Sequence, residues 1–184
     1  IDAWDGDWFP VFDNHQTSED FGWTAQVNRT TGLEFVAQTQ SGGIVDVSSG
    51  YVPTLGEWHH LAISYSKNAN TIQFVVDGGT VKSAAFNADI RNTSGDTLWF
   101  GYGPSGGDEF AVGALDDIRF WSTARTPEEI ADNRSKRLKG NERGLLAYWP
   151  TDELTGTSVA DLPANPAPII LYSEPFTPKL KTTA

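Results

Sequence analysis

The sequence predicts an all-β fold of antiparallel strands closed into a two-sheet sandwich or a barrel, with one α-helix on its surface. Short segments rich in Val, Ile, Thr and aromatics recur at roughly 8–12-residue spacing, the pattern of such folds. Clusters of Gly, Asn, Asp and Pro separate them. Helix start and stop signals flank a single stretch, 126–139.

The elements follow in chain order. Trp8 to Phe12, Gly22 to Asn28 and Leu33 to Thr39 read as the opening strands. Glu57 to Ser66 and Thr71 to Asp77 read as a pair, and Ile72, Phe74 and Val76 supply one strongly buried face by period-two alternation. Asp77-Gly78-Gly79 suits the positive φ angles of a tight hairpin and returns the chain into Thr80 to Ala85. Thr97 to Gly103 and Gly113 to Ser122 are the next strands. Thr126-Pro127-Glu128-Glu129 then gives a cap residue, Pro at the first helical position and Glu three residues after the cap. Arg134, Lys136, Arg137 and Lys139 suit the negative end of the helix dipole, and Gly140 stops the helix. Its apolar stripe, Ile130 and Leu138 with Arg134 between them, is thin, so the helix belongs on the surface. Leu145 to Trp149 and Pro168 to Tyr172 are two more strands around a loop, Thr151 to Ala167, and Ser173 to Ala184 reads as a linker or tail.

Composition excludes several classes. The chain has 184 residues, with 13 Lys plus Arg against 24 Asp plus Glu, a formal charge of −11. That balance disfavours nucleic acid and anionic lipid surfaces. No apolar run approaches the roughly 20 residues of a membrane-spanning helix, so no membrane insertion is expected. No Cys means no disulfide, no thiolate-bound zinc and no thiol nucleophile. With no Met either, Ile1 is expected to follow a processing cut or an upstream segment, so no signal peptide can be sought.

Gly113-Ala-Leu-Asp-Asp-Ile-Arg-Phe-Trp-Ser, followed by Ala124-Arg-Thr-Pro-Glu-Glu-Ile130, resembles the closing strand and helix of the laminin-G-like, pentraxin-like branch of the concanavalin A-like jelly rolls. Glu57 to Tyr65 and Thr71 to Gly78 resemble that family's middle hairpin, and Gly144 to Pro150 with Asp152-Glu153 and Ala160-Asp161 resembles the segment that opens or follows such a domain. The resemblance spans roughly residues 1 to 165 and implies a two-sheet antiparallel jelly-roll sandwich, concanavalin A-like, over residues 1–172, with one surface helix near 126–139 and a tail at 173–184. The family's customary strand ahead of Ile1-Asp-Ala-Trp4 has no counterpart here. Either the domain is truncated, or another part of the assembly, a neighbouring domain or subunit, supplies the strand; residues 145–172 either pack back into its place or begin a following unit, and an open edge would invite aggregation.

Among candidate site residues, Asp116 stands out: alternation with Ile118 and Phe120 places it inward, and Asp117, Arg119 and Trp121 outward. A buried carboxylate needs a metal or hydrogen-bond donors, and oxygen ligands suit Ca²⁺; the resemblance implies the same ion near this strand. Asp5-Gly6-Asp7 and Asp108-Glu109 are weaker acidic loops. Asp13, Asn14, His15 and Gln16, ahead of Glu19-Asp20, form a polar loop that could hydrogen-bond sugar hydroxyls. Of the Trp residues, most are expected in the core; Trp121, facing outward, and Tyr102, beside a Gly-rich loop, are the aromatic candidates for sugar stacking. His59 and His60, adjacent in a strand, face opposite sides and cannot share a metal.

No paired carboxylates alternate on one strand as in jelly-roll glycosidases, and neither Gly-x-Ser-x-Gly nor His-Glu-x-x-His occurs. Asn28, Asn92 and Asn133 open N-glycosylation triplets. The expected function is therefore a non-catalytic extracellular or cell-surface recognition module that binds a glycan or cell-surface polysaccharide, with Ca²⁺ structural or at the ligand. The alternatives are a structural building block of a surface filament, adhesin or coat, and an accessory domain of a glycoside hydrolase.

Overall fold

A computed structural model describes residues 1–4, 6–14, 22–91, 97–103, 109–152, 158–159 and 169–170. His15, Asp5 and Asp108, the Asn92 triplet and the proposed tail lie outside the described residues.

The described residues are all-β apart from one helix. Strands β1 (Trp8–Asp13), β2 (Trp23–Asn28), β3 (Gly32–Gln38), β4 (Ile44–Ser48) and, after a long excursion, β8 (Trp99–Phe100) make an antiparallel sheet in the order β4-β3-β2-β1-β8. β5 (Leu61–Ser66), β6 (Thr71–Val76) and β7 (Gly79–Ala85) make a second, three-stranded antiparallel sheet. The two sheets pack face to face: Phe9, Val11, Val27, Leu33, Phe35 and Ala37 from the first share one core with Ile72, Phe74 and Val76 from the second. Period-two alternation puts those residues on the inward faces, and burial of their apolar area drives the packing. Asp77 (φ 51°) and Gly78 (φ 85°) make the tight β6–β7 turn as expected.

Beyond β8 the strands are short: β9 (Tyr102–Gly103) pairs with β10 (Glu109–Phe110), and β11 (Ile118–Trp121) pairs with β12 (Leu145–Trp149) across helix α1 (Pro127–Asn133). β13 (Ser158–Val159) pairs with β14 (Ile169–Ile170). Ile118 and Trp149 form a second apolar cluster, on which Phe12, Phe100 and Phe120 pack.

Several elements differ from expectation for identifiable reasons. β4 was not anticipated, because Val45 and Val47 on one side and Ile44 on the other blur the alternation. The strand expected over Thr97–Gly103 breaks at Gly101 (φ 68°), so one half pairs with β1 and the other with β10. The strand expected from Gly113 begins only at Ile118, because Asp117 adopts φ 57°. The helix expected to reach residue 139 ends at Asn133. Its start is as anticipated: Thr126 accepts from the Glu129 N–H, Glu129 reaches back to the Thr126 N–H, and Pro127 opens the helix. Its end is set from outside, since Arg119 donates to the carbonyls of Asn133 (2.8 Å) and Lys136 (2.6 Å) and so supplies the partners that a further helical turn would have given.

Candidate functional site

The outward face of the five-stranded sheet is polar and aromatic. Phe9, Val27, Leu33, Phe35 and Ala37 take the inward positions, so their strand neighbours point out. The cross-strand register lines these up in two rows, Pro10-Gln26-Glu34-Ser48 and Trp99-Asp13-Thr24-Val36-Asp46. The second row depends on a register shift in β1 between Pro10 and Phe12, which turns Phe12 inward opposite Ala25 and Asp13 outward opposite Thr24.

The first row is tied together by hydrogen bonds. Glu34, 5% exposed, accepts from Gln26 Nε2 (3.0 Å), Ser48 Oγ (2.9 Å) and the Thr31 hydroxyl. Partial burial, then the Glu34 charge, raises the Asp46 carboxyl above its ordinary value. In the second row Trp99 lies against Tyr102, ring centroids 5.3 Å apart and nearly perpendicular, and Tyr102 lies 4.9 Å from Phe110. Gly103 brings this aromatic group over the row: a methyl there would sit 3.4 Å from Asp13 Oδ2 and 3.5 Å from Pro10 Cβ.

Of the sequence candidates, the fold brings Asp13, Asn14 and Tyr102 together and leaves Trp121 and Asp116 elsewhere. Asp13 and Asn14 are not an exposed loop. Asp13 closes β1 and both are buried, because β1 extends further than its apolar residues suggest. Asn14 Nδ2 donates to the Thr97 carbonyl at 3.4 Å. Trp121 is not an open stacking surface: the Arg125 guanidinium lies 4.4 Å over its ring. Thr24, Gln26, Glu34, Asp46 and Trp99 were missed. Alternation within GLEFVAQ already puts Glu34 opposite to Leu33 and Phe35, but only cross-strand register shows which residues stand side by side.

Asp116 accepts from Thr151 Oγ1 at 2.5 Å, and the same oxygen receives the Asp117 N–H at 3.4 Å. Its acidic neighbours are committed elsewhere: Asp117 is gripped by Arg119 through two 2.7 Å hydrogen bonds, and Asp152 pairs with Arg137. Ca²⁺ takes about 6–8 oxygens, and among the described residues no three His, Cys, Asp or Glu side chains are placed to hold a metal. The described residues at Asp116 therefore do not fit calcium. Thermal unfolding in EDTA and in excess Ca²⁺ is expected to give the same midpoint; a rise in Ca²⁺ that disappears in Asp116→Asn would reverse this.

The two histidines precede β5 rather than lying within it. His59 Nδ1 meets Asp77 Oδ2 at 2.8 Å and its Nε2 accepts the Thr54 N–H at 3.2 Å, so the proton sits on Nδ1. Asp77 also accepts the His60 N–H. Burial pushes the Asp77 carboxyl up, but the hydrogen bonds from His59 and the His60 N–H, with the Arg134 charge, outweigh it and hold it below its ordinary value. His60 moves down, first through burial and then through the Arg119 charge, and its Nδ1 is buried without a partner. A histidine with a lowered folded-state pKa takes up its proton later than the unfolded chain, so it removes stability as pH falls below about 6.5. Urea unfolding between pH 7.5 and 5 is expected to show a smaller loss in His60→Asn than in the parent; equal slopes would refute the assignment.

Comparison with known proteins adds the following. The profile of a family described as the concanavalin A-like lectin/glucanases superfamily matches residues 2–131. A candidate carbohydrate-binding protein from Bacteroides ovatus has a similar structure, with a TM-score of 0.66 and 18% identity, covering 93% of this chain and 51% of that one. The present chain thus spans about half the length of that neighbour. An S-layer domain-containing protein from Clostridium thermocellum aligns with a TM-score of 0.39 and 22% identity, covering 72% of this chain and 66% of that one. At 18% identity the likeness to the Bacteroides ovatus protein is one of fold. No curated protein matches the chain.

Proposed function

The chain belongs to the concanavalin A-like lectin/glucanases superfamily, and from that premise we propose that it is a non-catalytic carbohydrate-recognition module of a larger secreted or surface protein. The observation that carries the proposal is the outward face of the five-stranded sheet, where the half-buried Trp99 and Tyr102 rings stand at the end of a row over the buried Asp13, and Gln26 and Asp46 keep accessible polar groups on the same face. Sugars present an apolar ring face and a rim of hydroxyls. A site for them needs an aromatic surface with a few fixed polar groups around it. Trp99 and Tyr102 are half-buried and held edge to face, so they keep their orientation before a ligand arrives.

The same face argues against hydrolysis. Glu34 is buried and both its oxygens already accept side-chain donors, so it is not presented to a glycosidic bond. Asp46 stands diagonally across from it, one strand away, without a second available carboxylate in its row until the buried Asp13. Retaining and inverting glycosidases both need two carboxyl groups flanking the bond. Among the described residues no helix is long and apolar enough to cross a membrane.

Affinity electrophoresis through gels containing laminarin, xylan, mannan or mixed-linkage β-glucan tests the proposal. Retardation by at least one polymer is expected, with the apparent affinity falling at least tenfold in Trp99→Ala and in Tyr102→Ala. Trp58→Ala, at an exposed tryptophan in the loop before β5, should leave it unchanged. Free migration of the parent chain in all four gels would remove the carbohydrate assignment.

A further inference from the structure

A second recess lies on the other sheet. In β5 and β6 the inward residues are Leu61, Ile63, Tyr65, Ile72, Phe74 and Val76, which leaves Ser64, Ser66, Thr71 and Gln73 facing out. Cross-strand pairing sets Ser64 opposite Gln73 and Ser66 opposite Thr71, so these four side chains form one hydroxyl and amide patch. A polar outward face is ordinary for an antiparallel sheet. Here it is not flat. Val75, also outward, is 0% exposed, so the sheet is covered at that end, and the segment Ala124–Glu128 rises beside the uncovered end as a wall. Floor and wall border an open groove of about 440 Å³, comparable in volume to the roughly 300–1,000 Å³ of small-molecule sites.

The wall is fixed in place. Ser64 Oγ donates to the Arg125 carbonyl at 2.7 Å, which pins it to the floor. The Arg125 guanidinium lies over the Trp121 ring and pairs with Glu129 at 3.4 Å. Thr126 and Glu129 exchange their capping hydrogen bonds. The lining then restricts the ligand. Hydroxyls and an amide do not suit an apolar molecule, which would leave them without partners. The carboxylate of Glu128 in the wall, with Glu129 already engaging Arg125, disfavours an anion. A neutral molecule rich in hydroxyls fits this lining, with the Glu128 carboxylate accepting from one of its hydroxyls.

We propose that this groove between the β5–β6 face and the Ala124–Glu128 wall is a second carbohydrate subsite, taking a neutral pyranose unit through Ser66, Thr71, Gln73 and Glu128. It extends the carbohydrate reading to a separate surface, and the two sites stand or fall separately. The test is amide shift mapping of the ¹⁵N-labelled chain, titrated in turn with cellohexaose, xylohexaose and mannohexaose. With at least one of them the amides of Ser64, Thr71, Gln73 and Thr126 should shift along a common saturation curve. Ser66→Trp, which fills the groove, should abolish those shifts. Gln73→Ala, which removes one amide without adding bulk, should weaken them at least fivefold. Neither variant should alter shifts at Trp99 and Tyr102. Shifts confined to Trp99 and Tyr102 would overturn the groove and keep the first site, and shifts confined to the groove would do the opposite. No shift with any oligosaccharide would overturn both.

Discussion

Gly32→Ala is expected to cost more than about 3 kcal/mol of stability or to prevent folding altogether, placing it in the rare upper tail of point substitutions. Gly32 opens β3 with φ +83°, a left-handed conformation that costs an L-residue roughly 1–2 kcal/mol. That is the smaller part. A Cβ there would lie 2.1 Å from the Tyr51 carbonyl oxygen and 2.4 Å from its carbon. These are backbone atoms, and they are anchored: Leu33 N–H donates to that same oxygen at 3.0 Å, Ser49 N–H to the Leu33 carbonyl at 2.7 Å, and Gly50 N–H to the Thr31 carbonyl at 2.9 Å. Relief of the clash would break this ladder beside Leu33, which is 1% exposed in the core. Gly42 is the internal control, with φ +87° and nothing within 4 Å of the added carbon. Gly42→Ala should show the conformational cost alone, roughly 1–2 kcal/mol. Denaturant unfolding of both variants separates the contributions, and equal losses would mean that the crowding at Gly32 relaxes freely.

Arg119→Ala should follow at about 2–3 kcal/mol, because Asp117 keeps 35% of its side chain exposed and the loss comes mainly from hydrogen-bond acceptors left without their donor. The Arg119 side chain is 9% exposed and holds Asp117 by two hydrogen bonds, the carbonyls of Asn133 and Lys136 by one each, and the Tyr148 ring at 5.5 Å. Truncation leaves a partly buried carboxylate and two carbonyls without their donor. Arg119→Lys keeps the charge but not the planar fork that reaches these acceptors together, so it should recover less than half of the loss. A double-mutant cycle with Asp117→Asn measures the coupling; a value near zero would show that the pair contributes only through packing.

Arg119 also shows why some features were legible in the chain and others were not. The start of α1 is local chemistry: Thr126, Pro127 and Glu129 lie within four residues and specify their own geometry. The end of α1 is set by a side chain from β11, so basic residues and Gly140 further along pointed past it. Alternation around Ile118 was read correctly as far as the strand runs and failed at Asp117, whose φ of 57° breaks the period before Asp116. Asp13 and Asn14 looked like a loop because they follow a Val-Phe pair with polar residues; the shifted register of β1 keeps Asp13 in the sheet. The proposed carbohydrate face is a product of pairing among β1, β2, β3, β4 and β8, and β8 joins β1 only after the three strands of the second sheet have intervened in the chain. Contacts between residues so distant in sequence leave no periodic trace in any one segment.

The pairing of β11 with β12 has a consequence for how the chain is made. The first core closes with residues up to Ala111, but the second cluster needs Ile118 and Trp149 together. Ribosomes add about 5–20 residues per second, so about 1–6 seconds separate the emergence of Ile118 and Phe120 from that of their partner strand. During that interval the edge of β11 is open and its apolar side is wet. A pause before Trp149 emerges would hold the nascent chain in the state most exposed to chaperones and to mispairing, and emergence of that tryptophan would end it.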